Sequence, residues 1–361
     1  MTQITHLIST LEGGGAEKQA FTILKESKKR GIRVSLIALA LSQESRDILE
    51  DLDITYHVVG KSLLKAQLRV FKIVFKERPD ILSSWLTQMD VISGIVSIAL
   101  GISWIINERS SAEAYSESIN NKAINPILLR LRNLLGRYSN IVIANSLAGK
   151  NYWINQRSHE NVVFIPNLFD QESIQLVPVH LSKQLKKPYI VTVGSLIESK
   201  NTISLINSMS IINQSKELYL YVIGDGPSKD SLQRRVTDLG LAEKVLFLGK
   251  IKRWHSLLVE SEGLVHPSLY EGMPNVVLES IFVKSPVLLS NIEAHSSLLT
   301  EEQTLFFNPL DENDIANTIL KMLNNKLQTQ ERAYLAYNSI KIFHPNKIFD
   351  SLINIYTKIN Q

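Results

Sequence analysis

Residues 263–290 read GLVHPSLYEGMPNVVLESIFVKSPVLLS, and they carry the alternation on which the fold depends. The short apolar run Gly263–His266 predicts a buried strand, and a polar loop follows it. Asn275–Lys284 has the apolar spacing of a helix, and Pro286–Ser290 is a second apolar strand. A strand, a helix and a strand in this order form the βαβ unit of a parallel sheet.

The same alternation runs through the rest of the chain in two blocks. The other predicted strands are Ile4–Ser9, Arg33–Ala40, Ile54–Val59, Ile81–Trp85, Ser103–Asn107, Ile141–Asn145, Tyr189–Gly194, Leu218–Gly224 and Val245–Gly249. The other predicted helices include Glu17–Arg30, Thr202–Asn213, Lys229–Leu239 and Glu312–Asn325. We therefore predict an α/β fold of two Rossmann-like, doubly wound parallel-sheet domains that face one another across a cleft.

The predicted boundary between the domains is the polar stretch 171–187, which lacks a strong period. The N-terminal domain is expected at 1–170 and the C-terminal domain at 188–344. A helix at 345–361 is expected to pack back on the N-terminal domain.

Composition excludes several classes of protein. The chain has 361 residues, 44% of them hydrophobic and 20% charged, as in soluble globular proteins. It has no cysteine, which excludes disulfides, cysteine nucleophiles and thiolate metal sites. We expect no signal peptide, because the N-terminus has neither a basic segment nor an apolar run of the required length. The uncharged segment Val91–Ile106 predicts a buried helix ending near Gly101 rather than a membrane span.

The net charge of +4 lies entirely in the first half, where residues 1–170 hold 20 Lys and Arg against 16 Asp and Glu. Two segments, 61–78 and 120–137, combine basic residues with apolar residues at helical spacing. Such helices can lie on an anionic membrane surface, or they can pack on the core with a solvated basic face. We expect a cytoplasmic protein, peripheral at the inner face of the membrane, and no nucleic-acid partner.

Three loops after predicted strands have the chemistry of an anion site. The first contains Gly14 and Gly15 before a helix, where backbone amides favour phosphate. The second begins at Gly194 and Ser195 and places Lys200 near the predicted cleft, where its ammonium could bind a diphosphate. A tight turn and a solvated lysine are the alternatives for these two loops.

The third loop follows His266 and carries Glu271, and Asn275 is expected to cap the next helix. The first turn of that helix offers amides to an anion. Glu279 lies just inside the helix, where it can accept hydrogen bonds from paired hydroxyls such as those of a ribose.

These segments resemble glycosyltransferase family 4, a group of retaining enzymes with the GT-B fold, and especially its members that build bacterial O-antigen and capsule. Glu271 and Glu279 correspond to the E-x7-E motif of the family. The other matching segments are Gly14–Glu17, Ile165–Asn167, Val193–Asn201, Gly224–Pro227, Val245–Gly249 and Ser285–Val287.

The resemblance implies a role for each site residue. Glu279 would bind the donor ribose, Lys200 the diphosphate, and Glu271 the hydroxyls or reacting face of the donor sugar. The donor-binding residues would be Gly14, Gly15, Gly194, Ser195, Lys200, Gly272, Met273, Pro274, Asn275 and Glu279. The catalytic residues would be Glu271, Lys200 and Arg109.

Two positions depart from the pattern of the family. Ser195 stands where the family usually has an arginine that partners the lysine on the diphosphate. The strand ending at Asn107 is followed by Glu108 and Arg109 rather than by the histidine of many members. Arg109 resembles the arginine of the polysaccharide-building branch and would face the donor sugar or its phosphate; a structural ion pair is the alternative.

The expected reaction moves a hexose or N-acetylhexosamine from a nucleotide-diphosphate sugar, with UDP favoured, to a hydroxyl of a lipid-linked or oligosaccharide acceptor. No metal and no cofactor are expected, because His6, His57 and His255 lack metal-like spacing. His266 is interpreted mainly as a core residue. A nucleotide-sugar epimerase on the same fold and a non-catalytic partner in polysaccharide assembly are the alternative functions.

Overall fold

The computed structural model describes residues 2–12, 15–110, 116, 125–157, 161–168, 174, 185–251, 253–340 and 345–359. Contacts within the chain divide it into two compact units. Unit 1 is Met1–Phe169 together with Phe343–Gln361, and unit 2 is Asp170–Ile342.

The described part of unit 1 contains a sheet of seven parallel strands in the order β3-β2-β1-β4-β5-β6-β7. The strands are β1 (Gln3–Ile8), β2 (Arg33–Ala38), β3 (Thr55–Val58), β4 (Ile81–Trp85), β5 (Ser103–Glu108), β6 (Ile141–Ala144) and β7 (Val162–Phe164). The helices are α1 (Gly15–Lys29), α2 (Gln43–Asp51), α3 (Leu63–Glu77), α4 (Thr87–Leu100), α5 (Pro126–Gly136) and α6 (Leu147–Arg157).

Both faces of this sheet are buried, because successive residues of a strand point to opposite sides. On β1, Ile4 and Ile8 belong to one hydrophobic cluster and Leu7 belongs to another. The first cluster also contains Ile348 and Phe349, which come from a helix that follows unit 2 in the sequence. In the sequence, the whole of unit 2 lies between that helix and the other helices of unit 1.

The described part of unit 2 contains six parallel strands in the order β10-β9-β8-β11-β12-β13. They are β8 (Tyr189–Val193), β9 (Tyr219–Ile223), β10 (Val245–Gly249), β11 (Gly263–His266), β12 (Val287–Ser290) and β13 (Leu305–Phe307). The helices are α7 (Thr202–Ile212), α8 (Lys229–Asp238), α9 (His255–Leu258), α10 (Asn275–Phe282), α11 (Glu293–Ser296), α12 (Glu312–Asn324) and α13 (Lys326–Ser339). The helix that returns to unit 1 is α14 (Pro345–Ile359).

The predicted fold class is confirmed, since both sheets are parallel and doubly wound. The uncharged segment after Val91 is also helical and mostly buried, with Ile95 and Ile98 exposed, and α4 ends at Gly101 in the left-handed conformation. Among the helices of the described ranges, none is both long enough and apolar enough to cross a membrane.

One basic residue of the segment 120–137 is buried rather than exposed on the surface of the protein. The side chain of Arg132 is 1% exposed, and its Nε donates to Asp90 Oδ2 at 2.6 Å. Its Nη2 donates to Glu108 Oε2 at 2.8 Å. Two carboxylates compensate the buried charge, as burial of an ion requires. Arg132 therefore does not contribute to the basic face on which 120–137 was expected to bind a membrane, and residues 120–124 lie outside the described residues.

Candidate active site in unit 2

The site lies at the topological switch point of the second sheet, between β8 and β11. The chain continues from β8 to β9 and β10 on one side, and β11 to β13 lie on the other side. Ligands of open α/β sheets bind outside the carboxyl ends of the strands at such a point. The loops that leave these two ends carry Lys200 and Glu271.

Backbone and side-chain hydrogen bonds join the two loops. The amide of Leu269 donates to the Ser199 carbonyl at 2.9 Å. Asn201 Nδ2 donates to the Pro267 carbonyl at 3.2 Å and to the Pro309 carbonyl at 2.7 Å. Asn201 has a left-handed backbone at φ 51°, which asparagine tolerates better than most residues. These contacts explain why side chains 71 positions apart meet.

Glu271 is the centre of a polar cluster and is ion-paired with Lys200. Its Oε1 accepts a hydrogen bond from Lys200 Nζ, one from His266 Nε2 at 2.9 Å and one from Ser268 Oγ at 2.8 Å. The side chains of Glu271 and Lys200 are 11% and 26% exposed. Burial raises the pKa of Glu271, but the Lys200 charge and the His266 hydrogen bond outweigh it and hold the pKa well below its usual range.

A second histidine supports the cluster from inside the unit. The His266 and His295 rings meet edge to face with centroids 5.3 Å apart. His295 Nδ1 donates to the Ser290 carbonyl at 2.8 Å. Burial and the neighbouring His266 lower the pKa of His295 to about 3. His295 is therefore a neutral ring that packs against His266, which in turn donates to Glu271.

The helix after the loop starts one residue earlier than an N-cap at Asn275 implies. Asn275 is the first residue of α10, and Pro274 is the N-cap, with no side-chain hydrogen bond to the first turn. The amides of Val277 and Leu278 donate to the Pro274 carbonyl. The prediction that Asn275 is the N-cap is therefore wrong, because Pro274 has the non-helical backbone of that position. Gly272 and Met273 lie in the loop before it, partly exposed.

Glu279 is buried inside α10 rather than open to solvent. Its Oε2 accepts a hydrogen bond from His255 Nε2 at 2.9 Å, and each side chain is 4% exposed. Nothing in the spacing of the sequence pointed to His255 as a partner of Glu279, since α9 precedes β11 and α10 follows it.

The Gly194 loop lies against a glycine turn from the neighbouring strand. A Cβ on Gly224 would lie 1.8 Å from the Gly194 carbonyl oxygen, and one on Gly226 would lie 2.5 Å from the Leu196 carbonyl oxygen. A Cβ on Gly194 would lie 3.8 Å from the Lys200 side chain. Gly194 is therefore next to Lys200, while Ser195 is exposed. The turn Gly224–Pro227 supports this loop.

Arg109 lies in unit 1, at the end of β5. Its Nη1 donates to Asn167 Oδ1 at 2.9 Å, and its guanidinium carbon is 4.6 Å from the centre of the Trp85 ring. Its Nε is buried and has no hydrogen-bond partner among the described residues. Burial lowers the pKa of Arg109 to about 10, and Tyr356 and Glu108 raise it. Its guanidinium thus contacts an amide oxygen and a ring and interacts electrostatically with Glu108.

Arg109 lines a cavity of about 300 Å³ at the carboxyl ends of β1, β4 and β5. These strands surround the switch point of the first sheet. Leu86, also at the rim, has φ 70° and ψ 151°, a region that only glycine adopts without strain. Such strain is typical of functional sites. Gly15 is the exposed first residue of α1, and Gly14 lies outside the described residues.

The structure thus brings together Lys200, Glu271 and Gly194, and it places His266 and Ser268 beside them. Glu279 lies further along α10 with His255. Arg109 and Gly15 belong to unit 1. His266 was predicted mainly as a core residue, and His255 was considered only as a metal ligand and rejected; both are buried histidines whose ring nitrogens bond the two glutamates of the motif.

Both halves of the chain match models of known families. Residues 13–173 match the model described as Glycosyltransferase Family 4, and residues 175–342 match the model described as Glycosyl transferases group 1. The chain is 26% identical to an uncharacterized glycosyltransferase of Methanocaldococcus jannaschii, over 63% of this chain and 59% of that protein. The match therefore spans less than two thirds of the length of that relative.

A longer match is to an enzyme of Campylobacter jejuni, a GalNAc-alpha-(1->4)-GalNAc-alpha-(1->3)-diNAcBac-PP-undecaprenol alpha-1,4-N-acetyl-D-galactosaminyltransferase. The identity is 24%, over 78% of this chain and 77% of that protein. The crystal structure of Anabaena HepE in complex with UDP and glucose has the same fold, with a TM-score of 0.86 at 20% identity over 99% of this chain and 100% of that chain. The chain belongs to glycosyltransferase family 4 and has the GT-B fold.

Proposed function

We propose that the protein is a retaining glycosyltransferase that moves a hexose or N-acetylhexosamine from UDP to a hydroxyl of a lipid-linked or oligosaccharide acceptor. The observation that carries the proposal is the Lys200–Glu271 pair at the switch point of unit 2, next to the start of α10. The acceptor class is favoured because the C. jejuni relative acts on an undecaprenol-linked glycan, by its name. Its place would be the synthesis of a bacterial surface polysaccharide.

In this proposal the donor diphosphate binds near Lys200 and the first turn of α10. The ammonium and the helix dipole both favour an anion there, and the exposed Ser195 offers a hydroxyl. The backbone of Gly272 to Asn275 contacts phosphate and sugar. UDP is favoured because the structural neighbour binds UDP and glucose.

The chemistry depends on stabilising the leaving group. Charge grows on the diphosphate as the glycosidic bond breaks, and preorganised cations and amides lower the energy of that state. We propose that the acceptor attacks the front face of the sugar and that the leaving phosphate oxygen takes its proton. Glu271 would then orient the sugar hydroxyls, and Arg109 would supply a second cation at the sugar or its phosphate. No metal is needed in this scheme, so EDTA should leave the rate of transfer unchanged.

Donor binding can be tested with a panel of nucleotides and nucleotide sugars by thermal unfolding, since a ligand of the folded state raises its stability. We expect UDP and one UDP-sugar to raise Tm, and Lys200→Gln to abolish the effect. A donor that is converted to its epimer without an acceptor would instead indicate an epimerase. A protein stabilised by no nucleotide would contradict the proposal.

We also propose that unit 1 binds an anionic membrane surface through α3, α4 and α5. Helix α4 contacts both of the other helices, so the three lie side by side. Together they expose the apolar residues Leu64, Leu68, Phe75, Ile95, Ile98, Ile127 and Leu134. The exposed basic residues of the same segments are Lys61, Lys65, Arg69, Lys72, Lys76, Arg78, Arg130 and Arg137. Apolar side chains within a basic rim are typical of interfacial helices.

Vesicle co-sedimentation tests this surface. We expect binding to phosphatidylcholine vesicles that contain phosphatidylglycerol, weaker binding in high salt, and little binding to pure phosphatidylcholine. Leu64→Gln together with Leu68→Gln should reduce binding. The control is Leu327→Gln, because Leu327 is 85% exposed but lies in unit 2. Equal losses in both variants would refute a specific role for the α3 face.

A further inference from the structure

The two glutamates of the motif are held by different kinds of partner. Glu271 is neutralised by the Lys200 ammonium, which supplies a full positive charge. Glu279 is held by the His255 ring, through the hydrogen bond from Nε2 to Oε2 at 2.9 Å. The second pair is the more deeply buried of the two, with side chains 4% exposed against 26% and 11%.

The ring of His255 is fixed in one orientation. Its Nε2 must carry a proton, because a carboxylate oxygen can only accept. The Trp254 ring lies against it with centroids 4.1 Å apart. The other nitrogen, Nδ1, is buried and has no hydrogen-bond partner within the described ranges.

An orphaned buried nitrogen destabilises the folded protein, and an apolar side chain at this place would not carry that cost. The contact with Glu279 offsets this destabilisation. It is the one hydrogen bond of the ring in the described part of the chain. One ring N–H holds one oxygen of the carboxylate, and a carboxylate has further lone pairs that can accept hydrogen bonds from hydroxyl groups.

We propose that His255 is a positioning residue that fixes the Glu279 carboxylate for the ribose hydroxyls of the donor. The inference rests on the proposed function, in which Glu279 binds the ribose. His255 does not touch the donor itself. It acts by anchoring Oε2, so that the plane of the carboxylate is set before the donor arrives.

The test compares two amides of different reach. In His255→Gln the amide nitrogen can occupy the place of Nε2 and donate to Glu279, whereas in His255→Asn it falls at the place of Nδ1. Donor KM and kcat are measured with the UDP-sugar that the wild type uses and with its 2′-deoxyribose counterpart. The control is Ser256→Ala, since Ser256 is the next residue of α9 and its buried hydroxyl has no partner among the described residues.

We expect His255→Asn to raise the KM for the ribose donor about tenfold, as loss of a hydrogen bond to a charged group does, with kcat within about twofold. The KM for the 2′-deoxy donor should change less than about twofold, and His255→Gln should restore most of the affinity for the ribose donor. Ser256→Ala should change neither donor.

Equal increases of KM for both donors in His255→Asn would show a general structural role and overturn the proposal, as would a His255→Gln variant no better than His255→Asn. Should His255→Asn fail to fold, the two donors are compared in His255→Gln: a rise of KM that is larger for the ribose donor than for the 2′-deoxy donor supports the proposal, and equal rises for both donors overturn it. A wild type that does not distinguish the two donors would overturn the ribose role of Glu279 itself. The two failures are therefore separable.

Discussion

At the scale of single residues, the Lys200–Glu271 ion pair engages the ammonium that a diphosphate would need. The donor must therefore compete with Glu271 for Lys200 when it binds. The two side chains are partly exposed, so the competition costs on the order of 1 kcal/mol rather than the several of a fully buried pair.

Replacing Glu271 by Gln should separate binding from catalysis. We expect UDP alone to bind a few times more tightly, because Lys200 is released, while transfer slows through loss of the contact with the sugar. Calorimetry with UDP and initial rates with the full donor measure the two effects. Weaker UDP binding in this variant would mean that Glu271 mainly orders Lys200, and Lys200→Gln serves as the reference for complete loss.

Ser195 is exposed beside the same loop and stands where the family usually has an arginine. A guanidinium there adds a charge-assisted hydrogen bond to the diphosphate. We expect Ser195→Arg to lower the Kd for UDP about tenfold. The control is Ser195→Gln, of similar length without the charge, and an equal gain in both variants would count against a missing cation.

Single residues also show how far the sequence predicts the site. Lys200 and Glu271 were predicted from loops after strand ends and Glu279 from the helix that follows, and the resemblance to the family motif implied their roles. The partners His266, His255 and Asn201 were not predicted as such, because their contacts depend on how loops from different strands meet. Short side-chain distances of this kind leave no periodic signal in the sequence.

At the scale of elements, the turn Gly224–Pro227 sets the position of the loop that carries Lys200. The Leu196 amide donates to the Asp225 carbonyl at 3.0 Å, and the Ser228 amide donates to the Leu196 carbonyl at 3.0 Å. The turn and the loop therefore move together.

Gly226→Ala should disturb the donor site from outside it. Its Cβ would lie 2.5 Å from a backbone oxygen, which cannot rotate away, so the loop must shift. We expect a rise in donor KM and a loss of about 1–3 kcal/mol in the free energy of unfolding. The matched control is Gly240→Ala: Gly240 has φ 67° with open space around it, so that variant is strained without touching the loop. A normal KM in Gly226→Ala would show that the turn does not position the site.

Elements differ in how well the sequence predicts them. The strands β8 to β12 carry apolar runs of four or five residues and were predicted within a residue or two. The short edge strands β7 and β13 have three residues each and were missed, since so short a run has no period. Their assignment depends on pairing with β6 and β12, which is a property of the sheet.

At the scale of the whole molecule, each unit contains a histidine that folding keeps neutral. His6 Nδ1 accepts a hydrogen bond from Trp85 Nε1 at 3.3 Å, and burial lowers the pKa of His6 to about 4. His295 in unit 2 has its pKa lowered to about 3. Both rings are buried in units that fold around them, so protonation opposes folding.

Stability should therefore fall in mild acid. Above pH 6.5 these rings are neutral in both the folded and the unfolded chain, so they do not make the free energy of unfolding depend on pH. Between pH 6.5 and about 4 these histidines bind protons in the unfolded chain but stay neutral in the folded chain. The free energy of unfolding therefore decreases as pH falls, by about 3 kcal/mol for His6 alone. Glu271, with its lowered pKa, adds a loss of the same sign below pH 4.5.

Urea unfolding at pH 7.5, 6 and 5 checks this expectation. His6→Gln should weaken the pH dependence of the free energy of unfolding for unit 1 and should leave the pH dependence for unit 2 unchanged. A stability that is constant from pH 7.5 to pH 5 would contradict neutral burial of the histidines.

Helix α14 has a consequence for the order in which the protein is made. Its residues Ile348, Phe349 and Leu352 complete the cluster that contains Ile4 and Ile8 of β1. Translation therefore releases the first strand of unit 1 long before the side chains that cover it. A chain interrupted before α14 would therefore expose apolar side chains of unit 1 that α14 covers in the folded protein, and we expect such a chain to aggregate or to bind chaperones.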